Sequence, residues 1–263
     1  MEERVAIDEI TILLVYVIAG FIAGVADYSA GLGYGLVAAI IIVGLLDIDP
    51  RVVAGTTSLV QVLLAYPVIA QHSKRGNIVV DKRYVKIALM ISASSSLGAL
   101  VSMGYAVTAP RRIIEGLFSA VIIILIILSW TKKLINNRGI ENDGENSFRV
   151  NVASSLVGFL AGIEKGISGG GFSIMLILVQ RLAGIDLKSA IAGLPMVKLI
   201  PFTIIGIVYA WFGFFSLEIL IALFAGGLLS SIIAPRILES INDRVLLAAL
   251  TILAVYIVVK LAI

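Results

Sequence analysis

Lys198 sits in the run Leu194-Pro-Met-Val-Lys-Leu-Ile-Pro201, with apolar residues on both sides. It lies about ten residues into an apolar segment, so a helix would place it about 15 Å from the segment start, near the middle of a hydrocarbon core about 30 Å thick. A lysine at that depth costs at least about 2.5–3.5 kcal/mol and needs a partner or a water-filled cavity. One reading is structural, with the ammonium held by backbone carbonyls that Pro195 and Pro201 release from helix bonding. The other is functional: a fixed positive charge that attracts an anion, or a group that titrates during a coupled cycle. A second polar cluster occurs in Ala54-Gly-Thr56-Thr57-Ser58-Leu-Val-Gln61. Aligning Ala54-Gly55 with Ala192-Gly193 sets Val60 opposite Lys198 and leaves Gln61 one residue away, so Gln61 and Lys198 are expected in one central layer. Hydroxyl and amide groups donate hydrogen bonds to an oxyanion without burying a second charge. Taken singly, Thr56, Thr57 and Ser58 also fit small-residue packing and bonding back to helix carbonyls.

The elements that must position these groups are marked by glycine. Gly20-Phe-Ile-Ala-Gly24 followed by Gly31-Leu-Gly33-Tyr34 returns 138 residues later as Gly158-Phe-Leu-Ala-Gly162 followed by Gly169-Gly-Gly171-Phe172. Duplicated, glycine-interrupted apolar segments point to a transporter built from two repeats, with its site where the interruptions meet. Gly20, Gly24, Gly158 and Gly162 have the spacing of close helix packing. Gly31, Gly33, Gly35, Gly169, Gly170 and Gly171 are the better site candidates. If Gly33 and Gly171 precede helix N-termini, two positive dipole ends point into the interior, where an anion would be favoured.

The remaining polar residues read as structural. Asp27, Glu164 and Lys165 flank the breaks and are read as interfacial charges at segment ends, with gating or coupling as the alternative. Asp49 and Asp186 stand where an aspartate caps a helix. His72, beside Lys74 and Arg75, reads as interfacial rather than as a proton relay, and Trp130 and Trp211 as aromatic-belt anchors.

Composition limits the function classes. The chain is 60% apolar and 14% charged, with a mean hydropathy of +1.09, far from the soluble norm of about 45–50% and about 25%. It reads as an integral membrane protein whose partner is the lipid bilayer. The net charge of +3 suggests no nucleic acid, because the basic residues occupy short loops between apolar runs. Zero cysteines and one histidine exclude disulfides, thiolate metal sites and multi-histidine centres, and no cofactor is expected. An intramembrane serine hydrolase at Gly166-Ile-Ser168-Gly169 lacks a nearby base, and a nucleotide-driven pump lacks a phosphate loop, so no enzyme activity is expected. The first apolar run leads into the glycine motif without a cleavage site, so it is expected to remain in the mature chain.

Ten apolar segments are expected, at roughly 10–26, 33–46, 52–71, 84–105, 111–131, 149–165, 170–183, 189–211, 216–234 and 243–262. A polar stretch, 132–148, separates a first five-segment repeat (1–131) from a second (149–263). An odd number of crossings per repeat inverts the second copy. If all ten cross, one side receives thirteen lysines and arginines and the other six, which places the linker in the cytoplasm and both termini outside a plasma membrane. An eight-crossing count divides the charges almost evenly. Segments 33–46 and 170–183 are short and are expected to be tilted, half-crossing or re-entrant. The predicted fold class is thus an all-α integral membrane protein with short or broken helices in corresponding places.

The paired Gly-Phe-x-Ala-Gly and Gly-x-Gly motifs, each followed by a short apolar run and then Val-Ala-Gly-Thr-Thr-Ser-Leu or Ile-Ala-Gly-Leu-Pro, resemble the sulfite exporter TauE/SafE family of membrane permeases. The similarity runs from about Ala19 to Ala249, with Leu32 and Tyr34 departing from the family's glycine run. It implies transport of small sulfur-containing oxyanions such as sulfite, sulfoacetate and other organosulfonates, or thiosulfate. The expectation is a secondary transporter working by alternating access, with a proton or sodium ion for coupling and a homo-oligomer as an available assembly. An anion channel, or a carrier of another small anion, is the alternative. The expected site combines the six later glycines with Thr56, Thr57, Ser58, Gln61, Pro195 and Lys198.

Overall fold

A computed structural model describes residues 9–46, 48–106, 144–168 and 172–240, with isolated helical positions at 248 and 252. The described elements are helical: α1 (Glu9–Ala30), α2 (Tyr34–Leu46), α3 (Pro50–Lys74), α4 (Lys82–Ala106), α5 (Gly144–Ser168), α6 (Phe172–Leu182), α7 (Leu187–Ala192), α8 (Leu194–Trp211) and α9 (Leu217–Ser240). The expected segments 111–131 and 243–262 lie outside the described stretches, as do Trp130 and Gly169 to Gly171. Among the described residues, six spans are long and apolar enough to cross a membrane: Glu9–Ala30, Pro50–Lys74, Lys82–Gly104, Val150–Ile167, Leu187–Trp211 and Leu217–Ser240. The chain is a multi-pass membrane protein. Apolar side chains such as Ile10, Leu14, Ile18 and Ile221 face outward, as lipid contact requires.

Two helices fall short of a crossing. With 13 and 11 residues, α2 and α6 extend only about 20 and 16 Å. The physical cause at α2 is the preceding break: Gly31 and Gly33 adopt φ of 68° and 89°, a region that costs a residue with a Cβ roughly 1–2 kcal/mol. The Gly31 N–H donates to the Asp27 carbonyl (2.8 Å) and closes the end of α1. Elsewhere the chain starts its helices with aspartate caps. Asp49 Oδ1 accepts from the Arg51 N–H (2.8 Å), and Asp186 Oδ2 accepts from the Ser189 N–H (3.1 Å).

Three boundaries differ from the sequence expectation. α1 continues to Ala30, beyond the apolar run that ends at 26, because Asp27 finds partners inside the protein. The run 189–211 belongs to two helices, α7 and α8, which meet at Gly193. α5 begins at Gly144, inside the stretch read as linker.

The main helix pairings are exchanged when α1 is set against α5, α2 against α6, α3 against α7–α8, and α4 against α9. The two most extensive contacts, α1 with α9 and α4 with α5, swap under this operation, as do α3–α9 and α4–α8. Glycine permits both large contacts. A Cβ on Gly20 would overlap the Leu223 backbone and one on Gly24 the Ser230 side chain. In the other half, a Cβ on Gly162 would overlap the Ser95 backbone and one on Gly166 the Ser102 hydroxyl. The order of these contacts makes α1 parallel to α9 and α5 parallel to α4. By contrast α3 and α8 run antiparallel, with Gly55 against Tyr209, Leu59 against Gly206, and Gln61 against Lys198. One apolar core gathers mainly α1, α2, α3 and α9, and a second mainly α4 to α8.

Candidate substrate site

Where α3 and α8 cross, four polar side chains meet the break after α1. The Lys198 ammonium donates to Asp27 Oδ2 at 2.7 Å and to Gln61 Oε1 at 3.2 Å. Asp27 Oδ1 accepts from the Gly33 N–H and from the Ser173 hydroxyl, each at 3.1 Å. One carboxylate therefore ties the ends of α1 and α2 to the first turn of α6 and the middle of α8. Lys198 is 3% exposed and Asp27 2%, so both charges are removed from water and each depends on the other. Gln61 is fixed in turn, since its Nε2 donates to the Thr57 carbonyl at 3.2 Å.

Asp27 occupies the place that the sequence reading assigned to a bound anion. It lies at the N-terminus of α2, where the Gly33 N–H and the helix dipole favour negative charge. Among the described residues, Lys198 donates to a carboxylate and an amide oxygen rather than to the carbonyls released by Pro195 and Pro201.

A second cation stands close by. Lys165, 1% exposed, holds its Nζ 4.8 Å from the centroid of the Phe202 ring, while Lys198 Nζ is 5.7 Å from the same ring. Both lie within the range over which a ring face attracts a cation. Phe202 in turn packs on Phe172 at the start of α6, with centroids 4.9 Å apart.

The other expected site residues fall around this centre in different roles. Pro195 lines a cavity of about 10 Å³ with Asp27, Tyr28, Gln61, Leu64 and Lys198. That is close to the least volume that holds one water, and too small for a sulfur oxyanion. Gly31 and Gly33 form the break itself, and Gly35 is buried in the first turn of α2. Thr56, Thr57 and Ser58 are fully buried and serve the helix frame. Thr57 and Ser58 donate to the Ala54 carbonyl at 3.3 and 2.7 Å, and Thr56 Oγ1 accepts from the Ser216 N–H at 3.1 Å, joining α3 to the start of α9. Gly169, Gly170 and Gly171 lie outside the described residues.

Three charged residues require correction. Asp27, Lys165 and Glu164, read as interfacial, are all buried. His72 lies in the last turn of α3, at a segment end as expected, and is buried there. His72 Nδ1 pairs with Asn77 Nδ2 at 3.2 Å, and its ring lies beside the Tyr28 backbone. Ser173 drew no notice in the sequence. One signal was available: the 138-residue offset that superposes the glycine motifs also sets Asp27 opposite Lys165. Two charges of opposite sign at equivalent positions beside the breaks mark the centre better than either does alone.

Short helices, a backbone break at the end of a membrane span, and a buried ion pair between α1 and α8 are features of the membrane transporter class. The chain matches the sulfite exporter TauE/SafE family over residues 16–261 and belongs to that family. No curated protein and no solved structure matched the chain.

Proposed function

We propose that this protein is a secondary transporter of small sulfur-containing oxyanions, such as sulfite or organosulfonates, in the plasma membrane. The observation that carries the reading is the Lys198 ammonium, buried where α3 and α8 cross and held by Asp27 and Gln61, groups that an anion can replace or share. Lys198 supplies the charge, and the Gln61 amide and Ser173 hydroxyl supply neutral hydrogen bonds. The Gly33 N–H supplies a backbone donor, and Pro195 closes one wall. Thr56, Thr57 and Ser58, with the second glycine run at 169–171, complete the surroundings as the two halves move. The antiparallel crossing of α3 and α8, equivalent helices of the two halves, supports an inverted repeat of five segments each. It accords with the charge distribution that sets both termini outside. Alternating access is favoured over a channel because the ion pair fills the centre and leaves space for about one water.

Thermal unfolding of the detergent-solubilised protein with sulfite, thiosulfate, sulfoacetate, sulfate and chloride tests the reading. A ligand at about 100 times its dissociation constant adds roughly 2.7 kcal/mol to the folded state, so at least one sulfur anion should raise the unfolding temperature by several degrees while chloride does not. Equal response to all five, or to none, contradicts the proposal.

A further inference from the structure

Asp27 and the transported anion compete for the same cation. Lys198 reaches Asp27 Oδ2 at 2.7 Å, and the Gly33 N–H and Ser173 hydroxyl are both taken by Asp27 Oδ1. An anion that enters must take the ammonium, or share it, in a space that now holds the carboxylate. With one cation and one carboxylate the pair is neutral. An added monoanion would leave an uncompensated negative charge among buried groups, and that state is costly unless a proton restores the balance. Among the described residues, the groups around Asp27 supply no other neutralising charge without breaking a contact of their own. Lys165 on α5 interacts with Asp27 through space but also with its neighbour Glu164. Tyr28 on α1 and Tyr34 on α2 lie close to the carboxylate and carry no positive charge. His72 on α3 lies beside the Tyr28 backbone. From α9, Glu218 faces Tyr16, toward the opposite end of α1.

We propose that Asp27 is a built-in counter-anion that the transported anion displaces from Lys198, and that its carboxylate then takes up one proton for each anion bound. Anion and proton bind together in one orientation of the transporter and leave together in the other. In the empty carrier Asp27 returns to Lys198, which keeps the buried ammonium paired during the return step. Coupling in this scheme follows from charge balance at a single cation. This inference rests on the anion-transport reading above and specifies how that site is coupled.

The test uses two organosulfonate monoanions, methanesulfonate and 2-hydroxyethanesulfonate, which are fully ionised near neutral pH and neither release nor absorb protons themselves. Each is added to the purified full chain in weakly buffered detergent solution while binding heat and solution pH are followed. About one proton should leave solution per anion bound. By linkage the apparent Kd should rise about tenfold per pH unit across the range in which that proton is taken from solution. Asp27→Asn keeps an acceptor for the Gly33 N–H, and it should bind the anion at least as tightly as wild type, with no proton uptake and a flat pH profile. In proteoliposomes this variant should exchange labelled anion across the membrane yet fail to concentrate it in response to a pH gradient. Binding to the wild type without proton uptake overturns the coupling scheme and leaves the anion site standing. Failure of both anions to bind overturns the transport reading and this inference with it. If Asp27→Asn does not fold, the wild-type proton count decides the question alone.

Discussion

Lys198→Met is expected to abolish anion transport and at the same time to destabilise the protein by about 3–5 kcal/mol, the usual consequence of removing one member of a buried ion pair. The second effect arises because Asp27, 2% exposed, loses its cation and must either hold an unpaired charge or take up a proton in a buried site. Loss of transport in this variant alone would therefore be ambiguous. The double substitution Asp27→Asn with Lys198→Met separates the effects. An amide at position 27 still accepts from the Gly33 N–H, and no unpaired charge remains, so most of the lost stability should return. Transport should not, because the ammonium that attracts the anion is gone. Denaturant or thermal unfolding measures the first quantity, and uptake of labelled anion measures the second. Recovery of transport in the double variant would remove Lys198 from the binding role.

Gly162→Val is expected to prevent the α4–α5 pair from forming. A Cβ at this position meets the backbone oxygen and carbon of Ser95, and a backbone cannot rotate out of the way as a side chain can. The helices must separate along their length, at a cost above the about 1–3 kcal/mol of ordinary overpacking. Gly20→Val should do the same to the α1–α9 pair, where the obstacle is the Leu223 backbone. Gly44, in α2, is a suitable control because nothing lies within 4 Å of a Cβ built there. Gly44→Ala should be neutral or stabilising by about 0.5–1 kcal/mol, since alanine holds a helix better than glycine. The yield of monodisperse protein and its unfolding temperature report all three. A normal fold in Gly162→Val would show that close α4–α5 contact is dispensable.

These cases indicate why some features were legible in the sequence. The duplicated glycines were readable because close helix approach excludes a Cβ at fixed spacing, a constraint written directly in residue type. Lys198 was readable because its apolar neighbours on both sides leave no route to the membrane surface. The aspartate caps at Asp49 and Asp186 follow from local hydrogen bonding alone.

Asp27 was misplaced for an equally physical reason. A hydropathy reading ends a span at its first charge, whereas α1 runs on to Ala30 because the carboxylate meets Lys198, Ser173 and the Gly33 N–H inside the protein. Those partners lie up to 171 residues away in the chain, and no local pattern announces them. Lys165 was assigned to a membrane edge on the same grounds. For Thr56, Thr57 and Ser58, composition shows that the groups are polar but not that the Ala54 carbonyl and the Ser216 N–H engage them.

Saturable, gradient-driven uptake of a labelled sulfur oxyanion by purified protein in sealed proteoliposomes tests the central claim most directly. Initial rates should reach a plateau with rising anion concentration, depend on an imposed ion gradient, and fall to the protein-free level with the double substitution at Asp27 and Lys198. A rate that rises without limit and follows only the membrane potential would make the protein a channel. An absence of flux for every sulfur oxyanion tried would contradict the account.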